Sequence, residues 1–178
     1  EAKKHEGTDG DLRICGGRHE FRAGQILYCT NAFTPQFFPE LSIVPARGQV
    51  LVTKPLEQSF PNEAFFYDRG YTYFRPVEGN RLLIGGFRNM DFAAEETYSL
   101  NHGGAVWEEL LRFTQSVVLP GQAWKVEYSW AGTMAMGSER SPIVCAPEPG
   151  VVVCARMSGM GVALSANVSL EATELLLR

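Results

Sequence analysis

The stretch Val151-Val152-Val153-Cys154 is a continuous apolar run that passes through Gly159 and Gly161 into a helical segment predicted over Val162 to Leu177. A strand without polar alternation is one that is covered on both faces. A strand from near the start of the chain could join it in one sheet. The apolar segment Ile26-Leu27-Tyr28-Cys29 is the natural candidate, with everything between inserted into one sheet. At the junction, a helix N-terminus offers unpaired N–H groups and the positive end of a dipole, which favours anionic groups. Gly159 and Gly161 lack Cβ and would let a flat or phosphorylated ligand approach the backbone. The local pattern is equally that of a glycine turn packing a helix on a sheet. It is not a dinucleotide fingerprint, because Leu164 stands where the third glycine belongs and no second strand with an acidic residue follows.

Between these ends the chain reads as strands. Phe21 to Cys29 is predicted as one strand closing at the turn Thr30-Asn31, and Ile43 to Thr53 as a longer one loosened by Pro45 and Gly48. Phe65–Asp68 and Tyr71–Arg75 flank a hairpin turn at Arg69-Gly70. Arg81 to Phe87 follows the turn Glu78-Gly79-Asn80 and is expected to pair with the preceding strand. Val106, Leu110, Phe113 and Val117 recur at helical spacing after Gly104, and Pro120-Gly121 stops that helix. Trp124 to Trp130 alternates as a strand. The expected class is α+β: a mixed and antiparallel β-rich middle with one main helix, flanked by α/β pieces. The expected division is 1–42, 43–140 and 141–178.

Composition narrows the function classes. The 178 residues are 45% hydrophobic and carry a net charge of -4, which gives no basic footprint for nucleic acid or anionic lipid. No apolar run approaches the roughly 20 residues of a membrane span. Glu1 to Gly10 is too polar for a signal peptide. Cys15, Cys29, Cys145 and Cys154 form no C-x-x-C pair, and His5, His19 and His102 lie far apart, so no metal site is expected. A cytoplasmic protein with reduced, mostly buried thiols is the expectation.

Several short motifs occur in an order that resembles the D-amino-acid oxidase family, the FAD-dependent, DadA-like oxidoreductases. They are Thr30-Asn31-Ala32-Phe33, Pro45-Ala46-Arg47-Gly48-Gln49-Val50-Leu51, Tyr73-Phe74-Arg75-Pro76 with Leu83-Ile84-Gly85-Gly86, Trp130-Ala131-Gly132, and Pro142-Ile143-Val144 ahead of Gly159-Met160-Gly161. The resemblance covers Ile26 to Leu177. It implies that the flanking pieces are remnants of a FAD-binding domain and the middle its substrate domain. It further implies oxidation of the C–N bond of an amine or amino acid, with hydride passing to the flavin and the imine later hydrolysed. The family's G-x-G-x-x-G segment for the ADP half of FAD is absent, so a truncated chain that is inactive alone and holds non-covalent FAD weakly is expected.

By the same resemblance, Asn31, Gly159, Met160, Gly161, Val162 and Ala163 would lie against the cofactor, and Tyr73, Arg75 and Met134 against a small-molecule substrate. No catalytic residue is assigned. Met134 stands where amino-acid oxidases of the family often carry a carboxylate-binding arginine, Met160 and Ala163 replace basic residues, and Glu139 stands for the usual aspartate. Either the substrate lacks an α-carboxylate, or Arg75 or Arg47 rebuilds the clamp. The alternative is a non-catalytic binding module whose Phe65-Phe66-Tyr67 and Tyr71-Thr72-Tyr73-Phe74 sheet is a docking face. An exposed apolar sheet edge would favour a dimer.

Overall fold

A computed structural model describes residues 6–8 and 10–178; the sequence reading of the first five residues lies outside them. Along the chain run β1 (Glu6–Thr8), β2 (Asp11–Gly16), β3 (His19–Ala23), β4 (Ile26–Tyr28), a 3-10 helix (Asn31–Gln36) and β5 (Val44–Thr53). Then come β6 (Phe65–Tyr67), β7 (Thr72–Val77), β8 (Arg81–Gly86), the short α1 (Phe92–Glu95) and α2 (Gly104–Phe113). The chain closes with β9 (Val126–Met136), β10 (Ile143–Glu148), β11 (Val151–Ala155) and α3 (Gly161–Leu176). The class is α+β, with antiparallel and mixed sheets. Two compact units form, residues 1–45 with 134–178, and residues 46–133.

In the first unit the sheet runs β10-β11-β4. β11 pairs antiparallel with β10 and parallel with β4, Val151 opposite Ile26 and Val153 opposite Tyr28. The expected joining of distant segments into one sheet is therefore present. Every residue of β11 is buried because both faces are covered. Val151 and Val153 meet Leu12, Tyr28 and Phe38 on one side. Val152 and Cys154 meet Val168 and Ala172 of α3 on the other. Each such aliphatic side chain contributes about 1.5–3 kcal/mol of burial.

The second unit is a five-stranded sheet, β6-β7-β8-β5-β9, with α2 against one face. The pairing Val50–Gly85 and Leu51–Ile84 fixes which side chains share that face. Leu51, Leu82 and Ile84 turn toward Val106, Leu110 and Phe113 of α2. The hairpin about Arg69-Gly70 and the pairing of β8 with β7 form as expected.

Four expectations need correction. Phe21 to Cys29 is two strands, since Ala23 pairs with Leu12 in one sheet and Ile26 with Val151 in another, so the ladder must break at Gly24-Gln25. The polar turn at Thr30-Asn31 opens a 3-10 helix held by Thr30 O accepting from Phe33 N. The strand expected to stop at Trp130 runs to Met136, because Gly132 weakens a strand without ending one whose neighbour β5 supplies its ladder. Val117 is 54% exposed, off the buried face, because residues 114–118 form a π-helical turn, Leu119 N donating to Thr114 O, which shifts the helical phase.

Candidate functional site

The parallel pair in the first unit gathers one set of candidate residues. β4 and β11 point the same way, so the segments leaving their carboxyl ends lie side by side. Beyond β4 stands Asn31, half-buried, with a left-handed backbone at φ 45°. Beyond β11 the chain makes a tight turn through Arg156 (φ 58°), Ser158 (φ 50°) and Gly159 (φ 81°) before α3 begins. Left-handed non-glycine residues cost free energy and persist where the surroundings over-determine them. Met160 N donates to Met157 O, and Ser158 N to Ala135 O, which fixes the turn.

α3 starts without a side-chain cap. Its first N–H donors, those of Gly161 and Val162, have no partner within the helix by geometry. Ala163 N and Leu164 N donate to Met160 O. Val162 is fully exposed and Met160 is 56% exposed, although both are large and apolar. A Cβ built on Gly159 would meet only the Met134 sulfur, at 3.5 Å. Met134 therefore lies against the turn.

The sequence reading missed the residue that anchors this turn. Arg156 is buried; its Nε donates to Ser141 O and its NH1 to Ser42 O, each at 3.0 Å, and its NH2 to Glu139 Oε2 at 3.3 Å. Gly137 makes room for it, since a Cβ there would stand 2.7 Å from Arg156 Cδ and 2.6 Å from Ser42 O. A charge directly after an apolar strand was the available signal. Glu139, its side chain 73% exposed, is the ion-pair partner of Arg156.

In the second unit Tyr73 and Arg75 sit two residues apart on β7, on the sheet face away from α2. Tyr73 lies across Gly85; a Cβ there would be 2.6 Å from its hydroxyl and 3.0 Å from Val50 Cγ2. Burial of that ring raises the phenol above its ordinary pKa. Phe66, opposite Tyr73 on β6, is 76% exposed and extends the aromatic surface. Arg75 is exposed, and among the described residues it has no ion-pair partner.

Arg47, the other candidate clamp, falls on the opposite face, because it alternates with Gln49 and Leu51. Its Nε and NH2 donate to the two carboxylate oxygens of Glu95 at 2.7 Å, and its NH1 to Asn101 O at 2.6 Å. That carboxylate, acting first through its hydrogen bond, holds the guanidinium above its ordinary pKa. A cavity of about 330 Å3 opens beside it, lined also by Asp91 and His102. With two carboxylates to one arginine, it does not suit an anionic ligand. The expectation that Arg47 could rebuild a carboxylate clamp is corrected: its fork is already filled by Glu95.

Residues 2–175 match the family model described as DAO, FAD dependent oxidoreductase. The chain belongs to this family. Solved structures with the same fold include glycine oxidase from Geobacillus kaustophilus (TM-score 0.81, 17% identity, 100% of this chain and 48% of that one). L-proline dehydrogenase from P. horikoshii matches with TM-score 0.79 at 17% identity, over 99% of this chain and 49% of that one. Iminodiacetate oxidase from Chelativorans sp. BNC1 matches with TM-score 0.73 at 16% identity, over 97% and 47%. The chain thus spans about half the length of these structures. No curated protein matches the sequence.

The family's cofactor can be tested against the first unit's own geometry. An uncapped helix N-terminus, a glycine turn free of Cβ bulk and an exposed apolar Val162 suit the edge of a flat ring that becomes anionic on reduction. The buried Ser158 Oγ, which finds no partner among the described residues, adds an unspent polar group beneath the same turn. The residues fit the ring-edge half of FAD. Among the described residues no three His, Cys, Asp or Glu gather as a metal site, and no helix is long and apolar enough to cross a membrane.

Proposed function

We propose that a protein carrying this chain oxidises the C–N bond of a small amine or amino acid with FAD, and that the chain supplies the flavin-edge contacts and a substrate-binding surface. The observation that carries this reading is the convergence of Asn31 and the uncapped Gly159–Ala163 turn at the carboxyl ends of β4 and β11. Ligands of open α/β sheets bind outside the carboxyl ends of parallel strands. The FAD supplies the two-electron acceptor.

The chain's own residues orient and stabilise. The Gly161 and Val162 N–H groups, with the helix dipole behind them, stabilise negative charge at the pyrimidine edge. Met160, Val162 and Met134 keep that edge dry. The flanking pieces are assigned to the cofactor domain and the middle to the substrate domain, bounded by the two compact units, residues 1–45 with 134–178 and residues 46–133. On the latter, Tyr73 and Phe66 offer an aromatic surface to the substrate carbon skeleton. Arg75, whose five donors are uncommitted, offers a bidentate partner for a carboxylate. The solved relatives named for glycine, proline and iminodiacetate all act on amines that carry a carboxylate.

The test is the visible spectrum of the full-length protein before and after anaerobic addition of primary and secondary amines and amino acids. Flavin bands that bleach with one compound establish the reaction and its substrate class. A protein that remains colourless after reconstitution with FAD overturns the reading.

A further inference from the structure

Two of the four cysteines are neighbours across the parallel ladder. Val152 stands opposite Leu27 and Val153 opposite Tyr28, so the register carries Cys154 to the side of Cys29, the first residue after β4. Both positions alternate onto the α3 side, where Leu27 and Cys154 pack with Val168 and Ala172. Adjacent strands lie about 4.8 Å apart. That separation is within the roughly 4.4–6.8 Å between Cα atoms that a disulfide accepts. Cys29 is exposed, whereas Cys154 is buried, and both are reduced thiols. The other two stand apart from this arrangement. Cys15 pairs with Glu20 in a different sheet, and Cys145 stands opposite Val153 on the other face of β11.

We propose that Cys29 and Cys154 are a redox pair that closes to an intramolecular disulfide when a peroxide reaches Cys29. The exposed Cys29 sulfur attacks a peroxide oxygen, forming S–O and breaking O–O; the departing hydroxide takes the thiol proton and leaves as water. Cys154 sulfur then attacks Cys29 sulfur, forming S–S and breaking S–O; the second hydroxide takes the Cys154 proton and leaves as water. Two thiols lose two electrons and hydrogen peroxide becomes two waters, so the step balances. Burial, with the Cys29 thiol beside it, pushes Cys154 up to about 11. It therefore stays a thiol, shielded from direct oxidation, until the neighbouring sulfur becomes electrophilic. Closure ties the end of β4, two residues before Asn31, to β11, two residues before Arg156. The proposal does not depend on the flavin reading, because the oxidant is added from outside.

The test treats the protein with one equivalent of hydrogen peroxide, blocks remaining thiols in denaturant and maps the peptides without reduction. The expected product is a Cys29–Cys154 linked peptide pair lacking two hydrogens, reversed by dithiothreitol, with Cys15 and Cys145 alkylated. In Cys154→Ser the same treatment leaves Cys29 as a sulfenic acid trapped by dimedone. Should that variant fail to fold, Cys29→Ser serves instead, with Cys154 remaining fully alkylatable at doses that oxidise the wild type. Dimedone-labelled Cys29 beside alkylated Cys154 in the wild type would overturn the proposal, as would linkage only between molecules.

Discussion

On one face of the five-stranded sheet, Arg47 commits its guanidinium inside the protein, to Glu95 and the Asn101 carbonyl, and Gln49 completes the network by donating to Glu95 and to Gly103 O. On the other face Arg75 is exposed and uncommitted beside Tyr73. The sequence offers both arginines within 28 residues of each other, and chemistry alone does not separate them. Alternation along β5 and β7 does. A satisfied, buried network fixes structure; the donors that a protein leaves unspent are the ones available to a ligand. Gly103 N also donates to Gln49 Oε1, so the covered network doubles as the missing cap of α2.

The largest expected effect breaks the covered side of this contrast. Glu95→Leu leaves the Arg47 charge, 13% exposed, without its carboxylate and strands Gln49. Removing one partner of a buried pair costs about 3–5 kcal/mol. A urea titration of the variant should show that loss, and Arg47→Met in the same background should recover much of it by removing the orphaned charge. A loss under about 1 kcal/mol would mean that the network is not desolvated, and the distinction between the two arginines would fail.

A smaller change sharpens the open side. Gly85→Ala has ordinary backbone angles to satisfy, but its Cβ would press on the far end of Tyr73. The ring can swing outward, so stability should fall by less than about 1 kcal/mol. The platform beside Arg75 is lost, however, and KM in the full-length protein should rise about tenfold, equivalent to about 1.4 kcal/mol. Unchanged KM would remove Tyr73 from the substrate surface.

Much of this arrangement was legible beforehand. The buried strand Val151–Ala155 and the hairpin at Arg69-Gly70 follow from periodicity and turn chemistry, which are local, and the apolar character of Ile26–Tyr28 made it a candidate partner for that strand. What escaped were features set by distant partners. Nothing near Gly24 announces that its two flanks pair in different sheets. The π-helical turn after Phe113 is invisible to a count at 3.6 residues. Arg156 reads as a stray charge until Ser42, Ser141 and Glu139 are brought to it from 114, 15 and 17 residues away. β2 was hidden because it is short and meets the core only through Leu12 and Ile14.

The contrast between spent and unspent donors extends to the first unit, where the smallest change in stability should accompany a change in ligand affinity. A Cβ on Gly161 would meet only the Met157 sulfur, at an ordinary 3.9 Å, and its φ is not left-handed. Alanine is also the better helix former, by up to about 1 kcal/mol in a helix interior. Gly161→Ala should therefore leave the unfolding midpoint of the protein without cofactor unchanged or slightly raised. If the first turn of α3 meets the flavin edge, the added methyl keeps the ring from the Gly161 and Val162 N–H groups. FAD affinity in the full-length protein, followed by quenching of flavin fluorescence, should then fall about tenfold or more. Equal affinity in the two proteins would reduce the glycine to a packing residue and move the cofactor away from α3. Lower affinity with undiminished stability is the outcome that a purely structural turn cannot produce.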